Sequence, residues 1–255
     1  MTELESTLAA QIQSRGYALC AMEQLCGDVE LLESIRDLAE VFVHEDRVRE
    51  AEETFHGGGR NESIKPFLVK YQDQQHFTKD HPLYRLGMLD SFQRIASESC
   101  SRAMRMMSAD LWYLCSRANK RPRGYAQMWH RDPEDAQTLK VNLFFRDVDA
   151  QSGPLEYVIG SHRSDSKYWT IGAQREYAPQ EQVERIPDGD KARFIVKAGT
   201  VLFTHTAGLH RGGYTETKGR LNTVWTFVPA SAQLPNKFTL HHYAPQKENR
   251  CLAVA

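Results

Sequence analysis

From Asp110 onward the chain breaks into short runs rich in aromatic and β-branched residues, most of them closed by glycine, proline or aspartate. Eight of these runs read as strands: Leu111–Cys115, Gly124–Asp132, Leu139–Asp147, Leu155–Ile159, Phe194–Lys197, Thr200–Thr204, His210–Thr215 and Leu221–Val228. Gly153-Pro154, Pro187-Asp188-Gly189 and Ala198-Gly199 punctuate the gaps. No long helical pattern lies between the runs. That excludes a parallel α/β sheet, whose strands need helical crossovers, and predicts a sandwich or jelly roll. One interruption, 160–192, is polar and poorly periodic, and a stretch that long inside a compact domain is the usual material of a lid.

The first part of the chain has a different period. Val29, Leu31, Leu32, Ile35, Leu38, Val41 and Phe42 recur three or four apart among charges, predicting an amphipathic helix over 28–53. Leu89, Phe92, Ile95, Ala96, Ala103 and Met106 predict a second over 86–107. Residues 12–20 read as a helix end, a glycine turn at Gly16 and a strand. Gly57-Gly58-Gly59 predicts a turn and lacks the spacing of either phosphate-binding glycine fingerprint. The expected organisation is one domain over 1–255: helical support to about 109, a β core over 110–230 and a tail over 231–255.

With 255 residues the chain can bury a sizeable core without staples. Its 32 basic and 33 acidic residues give a net charge of −1, which argues against a nucleic-acid partner. No apolar run approaches the roughly 20 residues of a membrane helix, so no membrane partner is expected. The acidic start Met1-Thr2-Glu3-Leu4-Glu5 lacks the basic and apolar regions of a secretory signal. Five cysteines (Cys20, Cys26, Cys100, Cys115 and Cys251) are odd in number and lack metal-type pairs, which fits a reducing cytoplasm.

His130-Arg131-Asp132 carries the sharpest chemistry. Residues two apart on a strand share a face, so an imidazole and a carboxylate can reach one metal from a single extended segment. Pro133 follows and biases Asp132 toward extended geometry. A third ligand is available at His205 or His210, and only His210 is followed, ten residues on, by an arginine, Arg220. Two histidines and one carboxylate are the facial set that leaves positions open on Fe(II). An arginine nearby can clamp the far carboxylate of a dicarboxylic cosubstrate.

These residues, with Ser152-Gly153-Pro154-Leu155 running to Gly160-Ser161-His162-Arg163, Ala198-Gly199-Thr200-Val201-Leu202-Phe203 and Arg15-Gly16-Tyr17, resemble the phytanoyl-CoA dioxygenase-like family of Fe(II)/2-oxoglutarate oxygenases. Thr200 stands where many members have aspartate, and Ile159 where many have proline; neither binds metal. The resemblance implies a mainly β chain with N-terminal helices around a double-stranded β-helix (a jelly-roll, cupin-like core). His130 and Asp132 would lie on and just after its second strand, His210 on the seventh and Arg220 on the eighth. It also implies Fe(II) held by His130, Asp132 and His210, with 2-oxoglutarate and O2 as the other reactants. Arg220 would hold the distal carboxylate, and Asn222, two residues on and on the same face, would assist. The retained Asp132 sets the chain apart from related halogenases, in which a small residue stands there. The implied activity is hydroxylation of a small molecule with release of succinate and CO2. Two rivals are a facial-triad metalloenzyme that does not use 2-oxoglutarate and a non-catalytic binding module of the same fold.

Other residues are read more plainly. Gln127 lies an odd number of positions before His130, so strand alternation turns it away and makes Met128 the neighbour of the site. His205 and His162 are expected off the metal, and adjacent His241-His242 would face opposite sides of a strand. Asn119-Lys120-Arg121-Pro122-Arg123 is a basic turn, and 56–70 is a second candidate lid.

Overall fold

The computed structural model describes residues 1–56, 67–72, 75–116, 125–172 and 177–241. The triple glycine, the basic turn over 119–123, His242 and Cys251 lie outside the described residues.

Helix α1 (Glu3–Arg15) starts on a capping box: the Thr2 hydroxyl accepts from the Glu5 amide, and the Glu5 carboxylate accepts from the Thr2 amide. It ends at Gly16, whose φ is 90° and where an added Cβ would sit 2.3 Å from the Tyr157 hydroxyl, so no other residue fits. The chain then enters β1 (Tyr17–Ala21). The predicted helix over 28–53 is two helices, α2 (Val29–Val43) and α3 (Asp46–His56). The break falls at His44-Glu45, where charge interrupts the apolar stripe, and the turn lets Val48 and Phe55 reach the core. Strands β2 (Leu68–Lys70) and β3 (Gln75–Thr78) follow, then α4 (Pro82–Gly87), α5 (Asp90–Ser99) and β4 (Met104–Leu114). The helix expected over 86–107 therefore stops early. Ser101 takes a left-handed turn at φ 51° and the chain reverses into β4.

The remaining elements are β5 (Leu139–Leu143), β6 (Glu156–Val158), α6 (Gln180–Glu184), β7 (Lys191–Arg193), β8 (Thr200–His205), β9 (His210–Arg211), β10 (Arg220–Pro229) and β11 (Phe238–His241). Two predicted strands differ. Over 124–132 there is a 3-10 turn at Tyr125–Gln127 and one β-bridge at His130. The run at 194–197 keeps only a bridge between Val196 and Val148, the regular strand lying just before it.

The large sheet runs β1-β8-β5-β10-β4-β2 with every neighbouring pair antiparallel. The small sheet runs β7-β6-β9, and the His130–His210 bridge adds the metal segment to its edge. Together they form the double-stranded β-helix. A parallel pair, β3 with β11, completes the strands.

Alternation along β10 explains what lies between the sheets. Leu221, Trp225 and Phe227 point outward into the main core, under the helices. There Phe92 of α5 packs edge-on against Phe203 and Trp225, and the Trp225 indole donates to the Leu83 carbonyl at 2.8 Å. Arg220, Asn222 and Val224 point inward and line a cavity.

Candidate metal centre

The cavity opens between the sheets and encloses about 780 Å³, mouth included. On one wall His130, Asp132 and His210 each offer a ligand atom, all within 4.8 Å of one another. His130 Nε2 lies 3.6 Å from Asp132 Oδ1, and His210 Nε2 lies 3.6 Å from Asp132 Oδ2.

Backbone pairing places these side chains. His130 and His210 exchange both amide-to-carbonyl bonds at 3.0 Å, which sets the rings side by side with centroids 4.3 Å apart. The Asp132 amide donates to Thr206 at 2.9 Å, fixing the carboxylate on the same face. Each ring is also oriented through its other nitrogen. His130 Nδ1 is 2.8 Å from the Met128 carbonyl and His210 Nδ1 is 2.9 Å from the Gly208 carbonyl. A carbonyl only accepts, so each Nδ1 carries the proton and each Nε2 turns a lone pair to the shared point.

The electrostatics agree. Burial pushes His210 down to about 3, so its ring is neutral. Burial alone would raise the Asp132 carboxyl, but the Lys140 ammonium leads the groups that outweigh it and hold it well below the usual carboxylate range. Asp132 Oδ2 is buried yet accepts no aligned hydrogen bond. Two imidazole nitrogens and an under-satisfied carboxylate are a donor set that fits a divalent transition metal.

At the other end of the cavity Arg220 is buried and pairs with no acid among the described residues. Burial lowers it to about 10, still charged near neutrality. Its Nη1 donates to the Gly153 carbonyl and its Nε to Asn222 Oδ1 at 3.3 Å. Asn222 Nδ2 donates onward to Asn142 Oδ1 at 3.2 Å. Asn222 thus lines the cavity while its amide orients the guanidinium.

The phytanoyl-CoA dioxygenase family model matches residues 13–221, a span that contains His130, Asp132, His210 and Arg220. The chain belongs to that family.

A search of curated proteins finds no match. Among solved structures, the chain is similar to the non-haem α-ketoglutarate-dependent epimerase SnoN from nogalamycin biosynthesis, with 16% identity and a TM-score of 0.54, covering 89% of this chain and 84% of that one. It is similar to HygX from Streptomyces hygroscopicus with nickel, 2-oxoglutarate and hygromycin B bound, at 14% identity and TM-score 0.58, covering 92% and 90%. EctD from S. alaskensis with bound Fe matches at 15% identity and TM-score 0.56, covering 94% and 81%. At such identities the likeness is one of fold.

Around the family's site, several residues take places that strand alternation did not foresee. Gln127 is buried and lines the cavity, contrary to expectation. It sits on the 3-10 turn, where alternation does not apply. Met128 instead supplies the carbonyl behind His130. Lys140 was not anticipated at all. It faces the cavity from β5 with Nζ 2.7 Å from Asp132 Oδ2, an ion pair rather than an aligned hydrogen bond. Burial would lower its ammonium, but Asp132 and Glu134 outweigh burial and raise it.

Arg131, between His130 and Asp132, turns away from the point those two side chains share. Its buried guanidinium donates to five carbonyls: Ser161, Tyr168, Trp169, Ile171 and Ala207. It ties the candidate lid to the metal segment. That stretch also has a small core of its own, in which Tyr168, Ala178, Val183 and Ile186 pack on Trp129. Phe67 and Leu68, from the second candidate lid, line the cavity.

The remaining histidines stand apart. His205 stacks on His162 with centroids 4.9 Å apart, and the His162 ring meets the Gln13 carbonyl. His241 meets His76, 3.0 Å away across the β3–β11 pair.

Proposed function

We propose that this chain is an Fe(II)- and 2-oxoglutarate-dependent oxygenase that hydroxylates a small molecule. His130, Asp132 and His210 would hold the metal from one side. Arg220, oriented by Asn222, would clamp the distal carboxylate of the cosubstrate. When metal, 2-oxoglutarate and O2 are bound, the chemistry supplied at the site would be oxidation of both organic partners by O2, one oxygen atom entering succinate as CO2 leaves and the other entering a substrate C–H bond. The protein's own tasks are to bind, orient and exclude water. The Nδ1–H bonds of both rings keep the Nε2 lone pairs aimed at the metal, and Phe67, Trp112, Leu155 and Val224 give the cavity its apolar lining. The chain would work as one unit in a reducing cytoplasm, which its free cysteines favour.

One observation carries the reading: a one-sided ligand set and an acid-free buried arginine share a single cavity. The test is anaerobic addition of Fe(II) and 2-oxoglutarate. A weak visible charge-transfer band is expected, followed on admission of O2 by succinate release. A chain that binds iron and shows no band on adding the 2-oxo acid would contradict the use of this cosubstrate.

A further inference from the structure

Lys140 is the charge in this cavity that the proposed reaction does not require. Iron ligation is complete with two neutral imidazoles and Asp132. The cosubstrate's far carboxylate has Arg220. Yet Lys140 faces the same cavity, mostly buried, on the face of β5 that also carries Asn142.

Among the described residues, its charge is not cancelled by acids outside the cavity. The nearby acids that attract it have lysines of their own: Asp110 lies 3.9 Å from Lys70, and Glu134 lies 3.5 Å from Lys237. Neither acid lines the cavity. Among the described residues the charged lining is therefore Asp132, Lys140 and Arg220. Adding a divalent metal leaves the lining with a net charge of three positive, and a bound 2-oxo dicarboxylate removes two of these. Without Lys140 the loaded site would be neutral. With it, one positive charge remains in a largely apolar, low-dielectric space, where an unmatched charge is costly and a matching anion is favoured.

Resting on the oxygenase reading above, we infer that the substrate carries a single negative charge, a carboxylate, and that Lys140 is the residue that receives it. The ammonium has three donors. One faces Asp132 Oδ2, so others can turn to a ligand without releasing the metal ligand. A dianionic phosphate ester would overshoot the charge balance, and an amine would add to the excess. Lys140 is thus a specificity-determining residue placed beside the metal.

The experiment uses full-length protein loaded with Mn(II) and 2-oxoglutarate under nitrogen. Aliphatic and aromatic carboxylic acids are compared with their primary amides, amines and phosphate monoesters of the same frame. Binding is read by paramagnetic broadening of the ligand proton signals, which detects weak binders without turnover. The acids are expected to bind about tenfold more tightly than their amides, equivalent to about 1.4 kcal/mol. Lys140→Met should erase that preference and Lys140→Arg should keep it. The inference is overturned if amides, amines or phosphate esters bind as well as acids, if no acid binds, or if Lys140→Met retains the preference. The wild-type comparison decides even if Lys140→Met fails to fold. Failure of the parent reading is visible separately: the Fe(II)-loaded protein would then give no charge-transfer band with 2-oxoglutarate. A band without an acid preference removes only the role of Lys140.

Discussion

Arg220 and Asn222 stand two apart on β10, and the hydrogen bond between them turns a flexible cation into an aimed one. Arginine loses rotamer freedom when it binds a carboxylate, and a pre-set guanidinium loses less. Arg220→Ala should therefore raise the apparent 2-oxoglutarate requirement by about 10- to 100-fold, the scale of losing one or two charge-assisted bonds. Asn222→Ala should raise it by less than tenfold, and the double variant should be no worse than Arg220→Ala alone. Titration of 2-oxoglutarate into each metal-loaded variant checks this; fully additive losses would mean that Asn222 acts independently of the arginine. At this scale the structure brings together His130, Asp132 and His210, the residues that spacing and the family resemblance single out. Gln127 was misread because a turn replaces the strand before the ligands. Lys140 and Arg131 gave no signal by spacing. What distinguishes them is burial of a charge, which depends on three-dimensional neighbours: Asp132 beside Lys140, and the carbonyls of 161–171 and Ala207 around Arg131.

Between elements, contacts at helix ends and sheet edges matter most. β1 reaches the large sheet through β8, and the His205 amide extends that pairing to the Gly16 carbonyl at 2.8 Å. Beside it, His162 and His205 join three elements: the Gly160-Ser161-His162 turn, the end of β8 and the end of α1. Burial depresses both rings, His205 to about 3 and His162 to about 4, and Arg163, Arg131 and Asp165 are the charged groups around His162. The unfolded chain takes these protons near 6.5, whereas the folded chain refuses them until much lower pH. The stability is therefore fully present above about 6.5 and is lost as pH falls from there toward 4 and 3. Denaturant unfolding of the metal-free protein at pH 7 and pH 5 tests it. His205→Gln should reduce the acid loss between these values by about 2 kcal/mol relative to wild type. An unchanged acid loss would show that the ring is solvated or already charged. Element boundaries were the weaker part of the sequence reading. Helical period alone cannot see that Ser101 turns the chain left-handed, or that α2 stops at Val43 and a new helix starts at Asp46.

For the whole molecule, the central architecture was readable because eight short turn-bounded runs exclude most alternatives. The order in which strands meet was not, since pairing is a long-range property. β11 runs parallel to β3 at a distance of some 160 residues in sequence, and nothing local announces it. The large sheet buries its outer face under helices and leaves its inner face free to line a cavity. One polypeptide thereby brings ligands from an early and a late segment to the same wall. The most direct test of that convergence is anaerobic titration of Fe(II) into wild type, Asp132→Ala and His210→Ala. The account predicts one ion per chain for wild type and a loss of about 100-fold or more in affinity for each variant, both still folded. Undiminished binding in either variant would contradict it.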